Sequence, residues 1–467
     1  MFGRRELDPL RLRFEEVHRH RPRSVLSPFV AVDEAHPEAP RDGGLRLLGS
    51  GPVAPFCAVV LDLGPQGVGD GLVAGLSGTA GSVLARWDAA AGEVRIEVTE
   101  PDGVTVAGTA ALYPEPAGQV AVVVNENQVT VLAASAGEEL RPLLTSRDPV
   151  RAALDLRDPA VLGGLQYAWG AGSSAAGVRR VRAGLSGPAG VRDPQVVRRP
   201  DGTPYVVDGR LYLTLTSAGL GFFQQAHWGV WTLDLADPAR LEQVGALFSA
   251  RDGLVLGDHA GHLVVDEPAG RTIVVVSSWG DHDTTVGVHV RHTTTGEDLL
   301  TGVHVLETER LDVPTEVSAW DPSLALVDGR WHLAFVECVT FTPRYTFHPA
   351  LAVATGPDYA DGLRLVAADT ALEQTEGSML TPIGARWYVL ASDGDARRYP
   401  VYDLRMRRLG DLDAPYGTNI PHPAVVRAGE GRRAPWWMVT FDGTAWHEDV
   451  LGYGTHGDVV VMAARPR

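Results

Sequence analysis

Apolar and polar residues alternate along much of this chain in short runs closed by Gly, Asp and Asn, the pattern of strands joined by turns. In the first third, FCAVVLDL is apolar almost throughout and predicts a buried strand, whereas EVRIEVT alternates and predicts a strand covered on one face. VLARWDAAAGEVRIEVT predicts two strands around a turn, and QVAVVVNENQVTVLAAS repeats that design about Asn125, Glu126 and Asn127. Successive hairpins without helical segments point to a β-sandwich. GAGSSAAG, at 170–177, has linker composition.

Beyond the linker one strand-like phrase recurs: DGRLYLTLTS, RTIVVVSSW, DGRWHLAFVE, GARWYVLASDG and APWWMVTFDG. Neighbouring copies are roughly 50 to 60 residues apart, a spacing that suits propeller blades. The aromatic and β-branched content of each copy suits a blade core. Five copies predict a five-bladed β-propeller; a long sandwich or irregular barrel is the competing arrangement. The expected all-β architecture is a concanavalin-like β-sandwich with its linker over 1–177, followed by a propeller over 178–467.

Composition narrows the chemistry. A chain of 467 residues is long enough for two domains. The net charge of -17 argues against nucleic-acid and anionic-membrane partners. There is no lysine, which excludes Schiff-base chemistry and a Walker-type phosphate loop. Cys57 and Cys338 have no metal-ligand spacing, so two free buried thiols in a reducing compartment are expected. With no secretory apolar core near the start and no apolar run approaching a membrane span, the expected location is the cytoplasm.

In a propeller the innermost strand of each blade lines the channel and precedes the aromatic strand. That places Asp193 (VRDPQVV) in blade one and Asp258, His259 and His262 (GDHAGH) in blade two. Asp321 (WDPSLALV) falls in blade three, Glu376 (TEGSMLTPI) in blade four and His422 (PHPAVV) in blade five. Arg-Asp-Pro occurs three times, but only Asp193 has counterparts in other blades; Asp148 and Asp158 read as turn formers. Three carboxylates converging on one channel suit glycosidic bond cleavage, in which one group protonates the leaving oxygen and another activates water or attacks carbon. A third carboxylate can drive their pKa values apart.

From Val191 to the C-terminus the chain resembles glycoside hydrolase family 43, five-bladed inverting enzymes acting on arabinose and xylose linkages. The resemblance is carried by the Asp-Pro of blade one, WDPSLALVDGRWHL and EGSMLTPIGARWYVLAS. It implies that Asp193 is the general base, Asp321 a modulator that raises and orients the acid, and Glu376 the general acid. It also implies a cation (calcium or sodium) or a water beside His422 on the channel floor, with no cofactor required. The added sandwich precedes the propeller here, whereas in the family it more often follows.

Arg192, His259, Trp279 and Trp320 are candidate sugar contacts. Trp228 is as suited to a core as to a site. One of His259 and His262 is expected in the channel and the other at the surface, since strand residues three apart face opposite sides. Glu337, before Cys338, reads as a strand-end residue. His447, Glu448, Asp449 and His456 are unassigned. The expected activity is removal of a terminal pentose, arabinofuranose or xylose, from short oligosaccharides or glycosides. The alternatives are a retaining or transferring enzyme, fructan-type or specific for D-arabinofuranose, and a non-catalytic sugar-binding propeller. The sequence leaves the oligomeric state open.

Overall fold

The five aromatic phrases form the second strand of five separate sheets, each paired antiparallel to the inner strand that precedes it, as the repeat predicts. The computed structural model describes residues 8–38, 40, 44–65, 67–112, 116–171, 177–283, 285–429, 434–445 and 456–464. Most of GAGSSAAG lies outside that set, as do His447, Glu448 and Asp449.

Blade one starts at Val191–Val196, blade two at His259–Asp266, blade three at Ser318–Val327, blade four at Thr375–Ile383 and blade five at Ala424–Arg427. These strands touch one another in a closed ring, blade one meeting both blade two and blade five. The alternating apolar sets pack between blades: Leu213 and Leu215 of blade one share a core with Leu390 of blade four and Met438 of blade five.

Blade five is completed by the other end of the chain. Glu15–His20 pairs antiparallel with His456–Ala464 as the outermost strand. This closure removes an open blade edge and ties the first residues to the last. Residues 15–20, placed by the sequence in the sandwich, therefore belong to the propeller.

The sandwich is built from two six-stranded antiparallel sheets. Between them lies one core containing Trp87 and Trp169, both fully buried. The strand Val178–Ser186, expected to open the propeller, instead pairs with Phe56–Leu63 and Leu26–Ala35 in the sandwich. Its sequence, VRRVRAGLS, has no strict alternation, and a composition boundary at the linker could not show which sheet it joins. The sandwich is thus an insertion between the closing strand and blade one. Cys57 and Cys338 are buried and unlinked. No helix among the described residues is long and apolar enough to cross a membrane.

Candidate active site

Four inner strands carry the same local device. The ladder is interrupted by a bulge between Arg192 and Gln195, His259 and His262, Trp320 and Ser323, and Glu376 and Met379. The second residue of each bulge is left-handed: Asp193 at φ 50°, Ala260 at 53°, Asp321 at 51° and Gly377 at 64°. A bulge re-aims side chains and ends regular pairing, a common way to build a site at the mouth of a sheet.

This geometry corrects the sequence register. Asp193 and Asp321 hold the same position, but Glu376 does not share it. Glu376 sits one residue earlier, equivalent to Arg192, His259 and Trp320. Blade four has Gly377 where the other two blades have aspartate, and a Cβ there would lie 2.7 Å from Cδ2 of His422. His422 occupies the space that a third aspartate would need. The bulge also corrects the reading of His262. Its extra residue turns His262 into the inter-blade core, where it accepts from Leu324 N–H at 3.1 Å and sits 3.1 Å from the Val196 carbonyl.

The candidate groups meet in one cavity of about 470 Å³. It is lined by Arg192, Asp193, His259, Trp279, Trp320, Asp321, Glu376 and His422, whereas Asp258 and His262 of blade two are not in its wall. His422 Nε2 is 3.3 Å from Asp321 Oδ2 and 3.7 Å from Asp193 Oδ1, so the imidazole sits between two carboxylates. His259 Nδ1 is 4.0 Å from the other oxygen of Asp193. Asp321 accepts from Gly377 N–H at 3.0 Å, and its own N–H donates to Ser277 Oγ at 3.0 Å. Trp320 Nε1–H donates to Glu376 Oε1 at 3.2 Å.

Burial raises the Glu376 carboxyl to about 8, helped by the nearby Asp193 charge and opposed by the Trp320 hydrogen bond and Arg192. Burial also pushes Asp321 well above the usual carboxylate range, with the charges of Glu376 and Asp193 adding to it. Like charges this close resist joint ionisation. His259 is lowered to about 4 and His422 is lowered too, in both cases chiefly by burial. Both imidazoles are therefore neutral at pH 7, and Arg192 brings a guanidinium to the cavity wall. Its guanidinium lies 5.2 Å from the Phe441 ring centre.

Aromatic rings form one wall. Phe223 packs on Trp279 at 4.6 Å between centres, Trp279 on Trp320 at 5.5 Å, and Trp320 on Tyr345 at 5.6 Å. Such a surface suits the apolar faces of a sugar ring. Trp228 is a core residue. Glu337 is not at a strand end: it lies within Arg330–Thr340, with His348 Nε2 at 3.1 Å.

Sequence reasoning missed Tyr345, Phe222, Phe223, Asn419, Ile420 and Phe441, which also line the cavity. The buried Tyr345 hydroxyl has no hydrogen-bond partner among the described residues. Phe441 lies within the phrase APWWMVTFDG, whereas the others lie on loops or turns outside the repeated phrases, where only the cluster of rings in FTPRYTF hinted at them. A second hollow of about 550 Å³, bordered by Arg23, Glu139, Gly187 and Leu220, contains none of the candidates. The other two Arg-Asp-Pro triplets are structural: Asp148 is in the first turn of the helix Asp148–Ala153, and Asp158 caps Pro159–Gly163 by accepting from Ala160 N–H.

Asp321, Glu376 and His422 each offer a donor atom within 4.8 Å of the others. The set contains one nitrogen and two carboxylates, whereas calcium takes six to eight oxygens. Three donors, one of them nitrogen, fit a calcium site poorly.

No family model matches the sequence, and no curated protein matches it. Solved structures do show similarity. The GH43_1 enzyme of Xanthomonas citri is 17% identical, with 59% of this chain and 87% of that one covered and a TM-score of 0.41. The GH93 α-L-arabinofuranosidase of Fusarium graminearum is 13% identical, covering 80% and 90%, with a TM-score of 0.37. The α-L-arabinanase of Penicillium chrysogenum is 12% identical, covering 88% and 99%, with a TM-score of 0.36. The proteins this chain is similar to are glycoside hydrolases.

Proposed function

We propose that this protein is an inverting glycoside hydrolase that removes a terminal arabinofuranose or xylose from short oligosaccharides or glycosides. The observation that carries the reading is the meeting of Asp193, Asp321, Glu376 and His422 in one aromatic-walled cavity, with Glu376 raised to about 8.

A carboxyl raised to that level holds its proton at neutral pH and can give it to a leaving oxygen. Trp320 occupies Oε1 of Glu376, which leaves Oε2 to carry the proton. Asp193 is the base, taking a proton from the water that attacks the anomeric carbon. Neutral His259 and His422 flank Asp193 without neutralising it. Asp321, fixed by Gly377 N–H, holds the blade-four bulge against blade three and orients the acid. As the glycosidic bond breaks, its electrons go to the leaving oxygen with the Glu376 proton. Attack of water from the opposite face inverts the anomeric centre. A purely sugar-binding propeller would gain nothing from two buried, mutually repelling carboxylates, whose ionisation costs stability.

The chemistry requires no cofactor. Dialysis against chelator is expected to leave turnover and thermal midpoint unchanged; a loss restored by calcium would place a cation at His422. The buried free thiols suit a reducing cytoplasm, where short imported oligosaccharides are the available substrates.

The reading is tested on aryl α-L-arabinofuranoside, β-D-xyloside, both D-arabinofuranosides and a fructofuranoside. Glu376→Gln and Asp193→Asn run beside the wild type, and NMR identifies the first anomer released. Loss of turnover in both folded variants, with an inverted product, supports it; turnover that survives both removes it.

A further inference from the structure

The tip of one sandwich hairpin packs behind the wall of the cavity, against Leu220 and Gln225. Asn125, Glu126, Asn127 and Gln128 are all buried, and Glu126 adopts φ 61° at the turn. Each places its side chain on a neighbour. Asn125 Oδ1 accepts from Leu220 N–H at 3.1 Å, and Gln128 Nε2 donates to the Leu220 carbonyl. Asn127 binds Asp155 and Leu156 at 2.8 and 2.7 Å. Glu126 Oε2 accepts from Gln225 Nε2 at 3.0 Å.

Gln225 passes this contact on. Its Oε1 accepts from Phe222 N–H at 2.9 Å, so one side chain joins the sandwich to the backbone of the cavity rim. The segment between the two anchors, Leu220 and Gln225, carries Phe222 and Phe223, which line the cavity. Phe222 is 52% exposed at the rim. The Phe223 carbonyl lies 3.2 Å from His259 Nε2, and Gln224 donates to the His282 carbonyl at 2.6 Å. Packing is close throughout: a Cβ on Gly221 would come within 2.7 Å of Gln225 Oε1 and 2.9 Å of Gln128 Oε1.

The charge on Glu126 is held from the sandwich side. Arg147 Nε donates to Oε2 at 3.0 Å, and Arg157 Nη1 lies 3.3 Å from Oε1. These are the arginines of the first two Arg-Asp-Pro triplets. A carboxylate with two arginines and an amide around it is fixed in position, which is what a brace requires.

We propose that Glu126 and Gln225 are positioning residues through which the sandwich sets the aromatic rim, and with it the fit of the sugar. The role of the rim in sugar binding rests on the glycosidase reading above; the bracing itself does not. A wall displaced by about 1 Å weakens substrate placement strongly while the carboxyl groups stay in place. The signature is therefore a raised KM with kcat retained.

The test uses the full chain. Gln225→Met keeps the volume and removes both polar contacts without disturbing the sandwich charges. Glu126→Ala removes the acceptor, and Glu126→Gln keeps an acceptor for Gln225. Steady-state kinetics on the best aryl glycoside is paired with amide hydrogen exchange over 218–226. In Gln225→Met and Glu126→Ala, KM is expected to rise about tenfold with kcat within about twofold. Exchange is expected to quicken over 218–226 alone, with Glu126→Gln close to wild type. Unchanged exchange in Gln225→Met, or faster exchange spread evenly over the chain, overturns the proposal. If turnover survives both Glu376→Gln and Asp193→Asn, the glycosidase reading falls, and local exchange still decides the brace.

Discussion

The indole Nε1–H of Trp320 donates to Oε1 of Glu376 at 3.2 Å, joining blade three to blade four at the candidate acid. This bond favours the ionised carboxylate and so opposes the burial that raises it. Trp320→Phe keeps the stacked ring and removes the donor. The Glu376 proton is then held more tightly, and the basic limb of the kcat profile, near 8 in the wild type, moves up by about one pH unit. A pH–rate series on both proteins measures it.

The same shift has a consequence for stability. The Glu376 carboxyl has a folded pKa of about 8 against an ordinary value of 4.5 in the unfolded chain. The unfolded chain releases this proton first as pH rises. Stability present below pH 4.5 is therefore lost progressively up to about pH 8. The full effect is on the order of 5 kcal/mol. Glu376→Gln, which never ionises, is expected to lose less between pH 5 and pH 9 than the wild type. Thermal midpoints across that range would show the two curves diverging upward in pH.

Arg251 braces the other side of the cavity. Its guanidinium binds Asp258 at 2.7 and 2.8 Å and Asp281 at 2.5 and 3.0 Å, and Asp258 accepts from Gly280 N–H at 3.0 Å. Asp258 precedes His259, and Asp281 shares a single 3-10 turn with Trp279. Arg251→Met leaves the fully buried Asp258 and the partly exposed Asp281 without their shared cation, at about 3–5 kcal/mol. Arg251→Lys recovers only part, because an ammonium cannot reproduce the two-sided fork. Denaturant unfolding midpoints of the three proteins check this.

The closing strand makes a further prediction. Removing residues 1–20 takes Glu15–His20 from blade five and exposes the edge of His456–Ala464. The truncated chain is expected to aggregate, or to lose its cooperative transition. A fragment starting at residue 178 loses that strand too, and keeps Val178–Ser186 without its sandwich partners. Size-exclusion chromatography with calorimetry on both would show whether either folds.

Local pattern along the chain was enough to place most of the strands, the blade repeat and part of the cavity wall. Period-two alternation reports which face of a strand is covered, and the aromatic phrases report a blade core, because both depend on nearest neighbours along the chain. It was enough to find Asp193, Asp321, Glu376 and His422, since each precedes a recognisable strand. What it could not determine was anything set by contacts between distant segments. The bulges shifted Glu376 by one position and turned His262 inward, because register depends on the paired strand. The fifth blade's outer strand came from residues 15–20 and the sandwich kept 178–186, because a strand joins whichever sheet offers it partners. Phe222, Phe223 and Tyr345 entered the cavity from loops that have no period to read. Glu126 looked like a hairpin turn residue, and only the packing of the sandwich against blade one placed it on Gln225. Local pattern fixes elements, whereas the meeting of elements far apart in sequence is decided by tertiary packing.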